Sequence, residues 1–255
     1  MNRQIYQSLT ESKRQGRKEI AILIDPDKMR LGNMEKVVAA SIHGGVDYFF
    51  VGGSLVVNDK MDFCLDYIRG HSNKPIILFP GSLQQINAKA DAILFLSLIS
   101  GRNPDLLIGQ HVLAAPGLYR SGLEILSTGY MLIDGGTPTT ASYISATLPI
   151  PSDKDEIAYC TALAGQMLGL KLIFLDGGSG AKNPVSESMI AMVSGGVQIP
   201  VVVGGGMRTP EKAAANAKAG ADLIVVGNAV EKNPGLIAEM ADAVHAASKN
   251  KYETV

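Results

Sequence analysis

Three times in the last third of the chain a continuous apolar run ends in a glycine-rich turn. The segments are Phe174-Leu175-Asp176-Gly177-Gly178-Ser179-Gly180, Val201-Val202-Val203-Gly204-Gly205-Gly206 and Ile224-Val225-Val226-Gly227-Asn228. Glycine accepts positive φ and close backbone approach without a steric cost. A helix start is expected after each turn, where N–H groups and the positive end of the helix dipole suit an anion. Three such turns at a strand–helix period predict the phosphate-binding rim of a barrel.

The remainder of the chain repeats the same unit. Candidate strands lie at Ile20–Ile24, Asp47–Val51, Ile76–Phe79, Ala92–Leu96, Tyr130–Asp134, Leu172–Leu175, Val201–Val203 and Leu223–Val226. They are continuously apolar, as parallel strands buried on both faces are. Eight of them alternating with helices predict an α/β fold, a closed (β/α)₈ barrel, and 255 residues is a usual size for one. Met34, Val37, Val38, Ser41 and Ile42 mark the core-facing side of one helix, ended by Gly44. Asn183-Pro184, Thr209-Pro210 and Asn233-Pro234 read as caps with proline at the first helical position, and Gly220 closes the helix opened at Thr209. The stretch between Phe79 and Ala92 is too short for a full crossover helix with its loops. Gly135–Asp153 reads as a long Thr-, Ser- and Pro-containing loop on the functional rim.

Composition excludes several classes. A formal net charge of -1 gives no field favouring nucleic acid or an anionic membrane. Cys64 and Cys160 fit neither a disulfide framework nor a metal spacing. The polar Met1–Gln7 stretch does not resemble a secretory signal, and no segment approaches the roughly 20 apolar residues of a membrane span. A cytoplasmic protein with at most peripheral membrane contact is expected. With no linker-like shift in composition, residues 1–255 read as a single domain.

Two acidic positions stand at strand ends. In Ile24-Asp25-Pro26-Asp27-Lys28, paired carboxylates and a lysine suit Mg²⁺ and an anionic substrate; either carboxylate also suits a turn or helix cap. Ser54, in Val51-Gly52-Gly53-Ser54, is read equally as a metal ligand or as a cap. Asp176, set among backbone N–H donors, suits binding or deprotonating a ligand hydroxyl, or an Asx-turn. The turn at 178–183 lacks P-loop spacing, Gly204-Gly205-Gly206 lacks Gly-x-Gly-x-x-Gly, and no Asp-Asp-x-x-Asp occurs. His43, His71, His111 and His245 are scattered and pair with no motif, so surface or helix positions are expected.

At these residues the chain resembles the geranylgeranylglyceryl phosphate synthase family. The resemblance runs through Ile24–Lys28, Val51–Ser54, Leu78-Phe79-Pro80-Gly81-Ser82, Pro104 to Pro116, Gly129–Asp134, the Asp176 turn, Gly204–Arg208 and Gly227-Asn228-Ala229-Val230-Glu231. It implies a modified triosephosphate-isomerase-type barrel with a reduced third helix. It also implies transfer of a prenyl group, expected to be geranylgeranyl, from prenyl diphosphate to the 3-hydroxyl of sn-glycerol 1-phosphate. By the same resemblance Asp25 and Ser54 hold Mg²⁺, while Phe174, Leu175, Asp176, Gly177, Gly178, Ser179, Gly180, Gly205, Gly206, Gly227 and Asn228 bind glycerol 1-phosphate. Asp176 is then the proton acceptor, and Thr137–Thr140 lie near substrate. The family commonly has Tyr-Leu-Glu where this chain has Phe174-Leu175-Asp176, so the carboxylate is one methylene shorter and a phenol is missing. The loops after the second to fifth strands are expected to line a groove for the tail, and a homo-oligomer, dimer or hexamer, is implied. The alternatives are another phosphate-binding barrel enzyme, an aldolase or isomerase, and a non-catalytic lipid-phosphate carrier.

Overall fold

The apolar runs pair as eight parallel strands, in chain order, closed into a barrel by pairing of the last with the first. They are β1 (Glu19–Ile24), β2 (Tyr48–Gly53), β3 (Ile76–Pro80), β4 (Ala92–Leu98), β5 (Glu124–Leu132), β6 (Leu172–Asp176), β7 (Val201–Gly204) and β8 (Leu223–Val226). The computed structural model describes residues 4–27, 31–57 and 60–248. Around and between the strands lie α1 (Gln4–Arg14), α2 (Leu31–His43), α3 (Met61–His71), α4 (Gln110–Ser121), α5 (Thr140–Ser145), α6 (Asp155–Met167), α7 (Glu187–Gly196), α8 (Pro210–Ala219), α9 (Asn228–Lys232) and α10 (Leu236–Ala246). Between β3 and β4 stands only a 3₁₀ turn, Leu83–Gln85, which is the reduced third helix. A π-helical turn, Asp105–Gly109, leads into α4.

Alternation along each strand separates two cores. Ile20, Ile22 and Ile24 of β1 and Ile173 and Leu175 of β6 face the helices in the outer core. Ala21, Phe50, Ile77, Leu94, Phe174, Val202 and Val225 fill the barrel interior. Helix α1 stops the N-terminal mouth: Ile5 and Leu9 join the interior core. The Glu124 carboxylate accepts from the backbone N–H groups of Ile5 (2.9 Å) and Tyr6 (3.0 Å) at the helix's open end.

Several boundaries differ from expectation. β5 begins at Glu124 rather than Tyr130 and ends at Leu132 rather than Asp134. Ser127, Thr128 and Gly129 interrupt its apolar run, but Thr128 Oγ1 donates to the Leu126 carbonyl (2.7 Å). Gly129 leaves the space that the Ile99, Leu170 and Ile173 side chains fill. Asn183-Pro184 does not open α7; Ser186 does, its Oγ accepting from Met189 N. The β6 turn is therefore separated from its helix, and Asn233-Pro234 likewise forms a turn before α10. Thr209 caps α8 as expected, and Gly220 ends it at φ 128°. The Gly135–Asp153 loop carries α5, capped by Thr139 and Ser142, and an Ile133–Ile150 bridge.

Candidate active site

The alternation that places Leu23 inside the barrel also sends Asp25 to the inner rim. In the same way Gly52 leads to Ser54, Thr128 to Tyr130 and Phe174 to Asp176. All four rim side chains line one cavity of about 910 Å³ at the C-terminal mouth, the end where barrel enzymes keep their chemistry. On β7 and β8 the corresponding inward positions are Gly204 and Gly227, which leave room above the interior core.

Asp176 is 7% exposed. Its Oδ1 accepts from Gly178 N at 2.7 Å and its Oδ2 from the Tyr130 hydroxyl at 2.6 Å. Burial pushes this carboxyl above the ordinary aspartate range, a pull the two donors partly offset. Tyr130 is pushed well above the usual phenol value by burial and by the charge beside it. Its ring packs edge-on against Phe79 (6.0 Å) and Phe174 (5.6 Å), which stack on each other at 5.1 Å. Gly205 holds φ +83°, and a Cβ there would come within 2.8 Å of Asp176 Oδ1 and 2.7 Å of the Gly177 and Gly178 nitrogens. The β6 and β7 turns meet this closely only because that atom is missing.

The residues expected to hold a phosphate divide. Phe174 lies inside the barrel with its ring at the cavity floor, whereas the Leu175 side chain faces the helices and does not reach the cavity. Gly177 N is spent on Gly204 O (3.0 Å) and Gly178 N on Asp176, so the phosphate reading rests on the turn from Ser179 onward and on the β7 and β8 turns. Ser179 and Gly180 line the cavity, as do Gly205, Gly206, Gly227 and Asn228. Asn228 Nδ2 donates to Ser179 Oγ at 3.2 Å, tying the β6 and β8 turns together. Arg208 lines the same end and donates to the Ala181 carbonyl at 2.8 Å.

At the opposite wall Asp25 is buried, and its Oδ1 accepts from Asp27 N at 3.1 Å. Asp27 turns away to accept from Val57 N and staples the loop after β2. Of the paired carboxylates, Asp25 alone lines the cavity; Lys28 lies outside the described residues. A Cβ on Gly53 would stand 3.2 Å from the Asp25 carboxylate, so glycine there gives that group its place. Gln85, in the 3₁₀ turn, grips Gly53 from both sides, donating to its carbonyl (2.9 Å) and accepting from its N–H (3.3 Å). Among the described residues no three His, Cys, Asp or Glu side chains gather as a metal cage. One buried carboxylate beside a serine fits Mg²⁺, which keeps much of its shell for water and substrate phosphates.

The other end of the cavity is apolar, lined by Leu83 and Ile86 at the 3₁₀ turn, Leu94 on β4, and Ala114 and Leu118 on α4. The truncated β3–β4 connection leaves this side to α4. Ile144 and Thr140 of α5 close the rim, so Thr140 falls near the site while Thr139 is occupied as a cap. His111 stands in the groove wall, its Nε2 3.1 Å from Ser97 Oγ and its ring edge-on to Phe95, and burial pushes it below the usual histidine value. Sequence reasoning missed Tyr130 and Gln85. Tyr130 was legible only with the correct start of β5, which makes it an inward residue; nothing local marks Gln85.

Residues 13–248 match the PcrB family. Geranylgeranylglyceryl phosphate synthase of Chitinophaga pinensis is 57% identical over 97% of this chain and 98% of its own length. The enzyme of the same name from Spirosoma linguale is 54% identical over 92% and 95%. A crystal structure of (S)-3-O-geranylgeranylglyceryl phosphate synthase from Thermoplasma acidophilum, in complex with substrate sn-glycerol-1-phosphate, superposes with a TM-score of 0.89 at 32% identity, covering 95% of this chain and 98% of that one. By length, by fold and by similarity to these relatives, the chain belongs to the PcrB family of geranylgeranylglyceryl phosphate synthases.

Proposed function

We infer that this protein transfers a prenyl group, geranylgeranyl by its family, from prenyl diphosphate to the 3-hydroxyl of sn-glycerol 1-phosphate. The observation that carries the reading is a single cavity that joins a buried carboxylate ringed by glycine turns to an apolar groove floored by α4. A polar phosphate ester and an isoprenoid tail need these two environments side by side.

In this mechanism the turns at Ser179-Gly180, Gly205-Gly206 and Gly227-Asn228 hold glycerol 1-phosphate with its 3-hydroxyl at Asp176. Fixing that hydroxyl against the prenyl C1 removes much of the entropic barrier to a bimolecular step. Asp176 orients the hydroxyl and takes its proton as the new C–O bond forms and the C–O bond to diphosphate breaks. Asp25 and Ser54 are the residues that would hold Mg²⁺, which supplies neutralisation of the diphosphate charge when bound. The apolar groove excludes water from the allylic carbon and retains the tail.

We read the whole chain as one cytoplasmic prenyltransferase domain, working as a homo-oligomer, dimer or hexamer, and meeting the membrane peripherally to collect its donor. No helix among the described residues is long and apolar enough to cross a membrane.

The test is a mass-spectrometric product assay with sn-glycerol 1-phosphate, Mg²⁺ and prenyl diphosphates of increasing length, with the 3-phosphate isomer and EDTA as controls. A Mg²⁺-dependent ether product specific to the 1-phosphate is expected, with geranylgeranyl as the preferred donor. Tight binding of glycerol phosphate with no product from any donor would sink the transferase in favour of a carrier.

A further inference from the structure

Asp176 carries a shorter side chain than a glutamate would, yet both of its oxygens are held. Gly178 N fixes Oδ1 at 2.7 Å and the Tyr130 hydroxyl fixes Oδ2 at 2.6 Å. The phenol comes from the neighbouring strand. The β5–β6 register sets Tyr130 beside Phe174 and Leu132 beside Asp176, so the ring rises from the barrel floor to meet a carboxylate one step nearer the rim. The stacked pair Phe79 and Phe174 meets that ring edge-on, which restricts where its hydroxyl points.

We propose that Tyr130 is a positioning residue for Asp176: its hydroxyl locks the carboxylate rotamer so that the remaining lone pairs face the acceptor hydroxyl, and it sets how readily that carboxylate takes a proton. The proposal rests on Asp176 being the base in the reaction above. Burial and the adjacent charge keep the phenol protonated, so Tyr130 donates throughout and the substrate proton goes to Asp176. Tyr130 is the titratable group hydrogen-bonded to Asp176; Asp25, Arg208, Glu231 and Lys232 line the same cavity from the β1, β7 and β8 sides. A phenol aimed at a carboxylate is thus a device for holding a short base at the right reach and strength.

Tyr130→Phe keeps the ring packed against Phe79 and Phe174 and removes the hydroxyl alone. We expect kcat to fall about 10- to 100-fold while KM for sn-glycerol 1-phosphate stays within about threefold, as loss of orientation without loss of phosphate contacts requires. Losing a donor to the charged form raises the Asp176 pKa. The acid limb of kcat/KM should therefore move up by about one pH unit or more, as should the carboxyl titration followed by ¹³C NMR in substrate-free protein. Uniform 3-fluorotyrosine, a stronger donor with the ring intact, should move both downward, and it decides the matter if the Phe variant does not fold. An unmoved limb and titration, or a raised KM at unchanged kcat, would overturn the proposal. Wild-type protein without turnover would instead sink the transferase reading, while the carboxyl titration still tests the Tyr130–Asp176 pair.

Discussion

Asp176 answers two opposed demands. Burial lifts its pKa in the folded state above that of the unfolded chain. The stability linked to its proton is therefore full in acid and lost as pH rises through the folded value. The same lift makes the carboxylate a better proton acceptor. Asp176→Asn removes the buried charge and keeps the shape. Turnover should fall about 10²- to 10⁴-fold, yet the variant should melt above the wild type at alkaline pH, the gap closing toward acid. Calorimetry across a pH series checks this; equal melting curves at every pH would mean that the carboxylate is not strained by its burial. Tyr130 acts at the same scale, one hydroxyl deciding the orientation of one side chain.

The site's elements are legible in the sequence to different depths. The eight continuous apolar runs made the barrel legible, and strand parity is enough to bring Asp25, Ser54 and Asp176 to one rim. The short Phe79–Ala92 stretch likewise announced the missing helix. Gln85 was not legible because its role is long-range: a side chain from the 3₁₀ turn replaces a neighbour for Gly53, 32 residues away in sequence. The groove escaped for a similar reason, since α4, α5 and the 3₁₀ turn enclose it only once the barrel has closed. The start of β5 is hidden in the sequence because a polar Ser-Thr-Gly stretch on a buried strand looks like a turn until its hydroxyl is seen bonding its own backbone. On the proposed function the groove is also the part of the site that sets donor length. Ala114, 7% exposed, presents a methyl to it from α4. Ala114→Phe should shift the longest accepted prenyl donor to a shorter one and leave KM for glycerol phosphate unchanged. Mass spectrometry of products from mixed donors reads the shift, and an unaltered product distribution would place the tail elsewhere.

At the scale of the whole molecule, charge pairs on the N-terminal side of the barrel bind distant parts of the chain. His245 of α10 pairs with Asp47 at 2.9 Å, and the same carboxylate oxygen accepts from Ile20 N, so the last helix is tied to the first strands. Asp47 raises the His245 pKa above its usual 6.5. This contribution is present in acid and fades as pH climbs through that raised value. Wild-type protein should therefore lose a little thermal stability from mildly acidic to alkaline pH, and His245→Gln should remove that part of the slope. An identical slope in the variant would assign the pH dependence to the buried carboxyls instead.

Lys13 of α1 pairs with Asp222 at 2.9 Å, just before β8, while the open end of α1 is held by Glu124. The two ties of this helix thus reach 119 and 209 residues along the chain. Its apolar face, Ile5 and Leu9, joins an interior core drawn from strands all round the barrel, from Ala21 to Val225. The helix that seals the floor therefore has its full set of partners only once the barrel has closed. A chain whose barrel is still open leaves that apolar face uncovered and prone to associate.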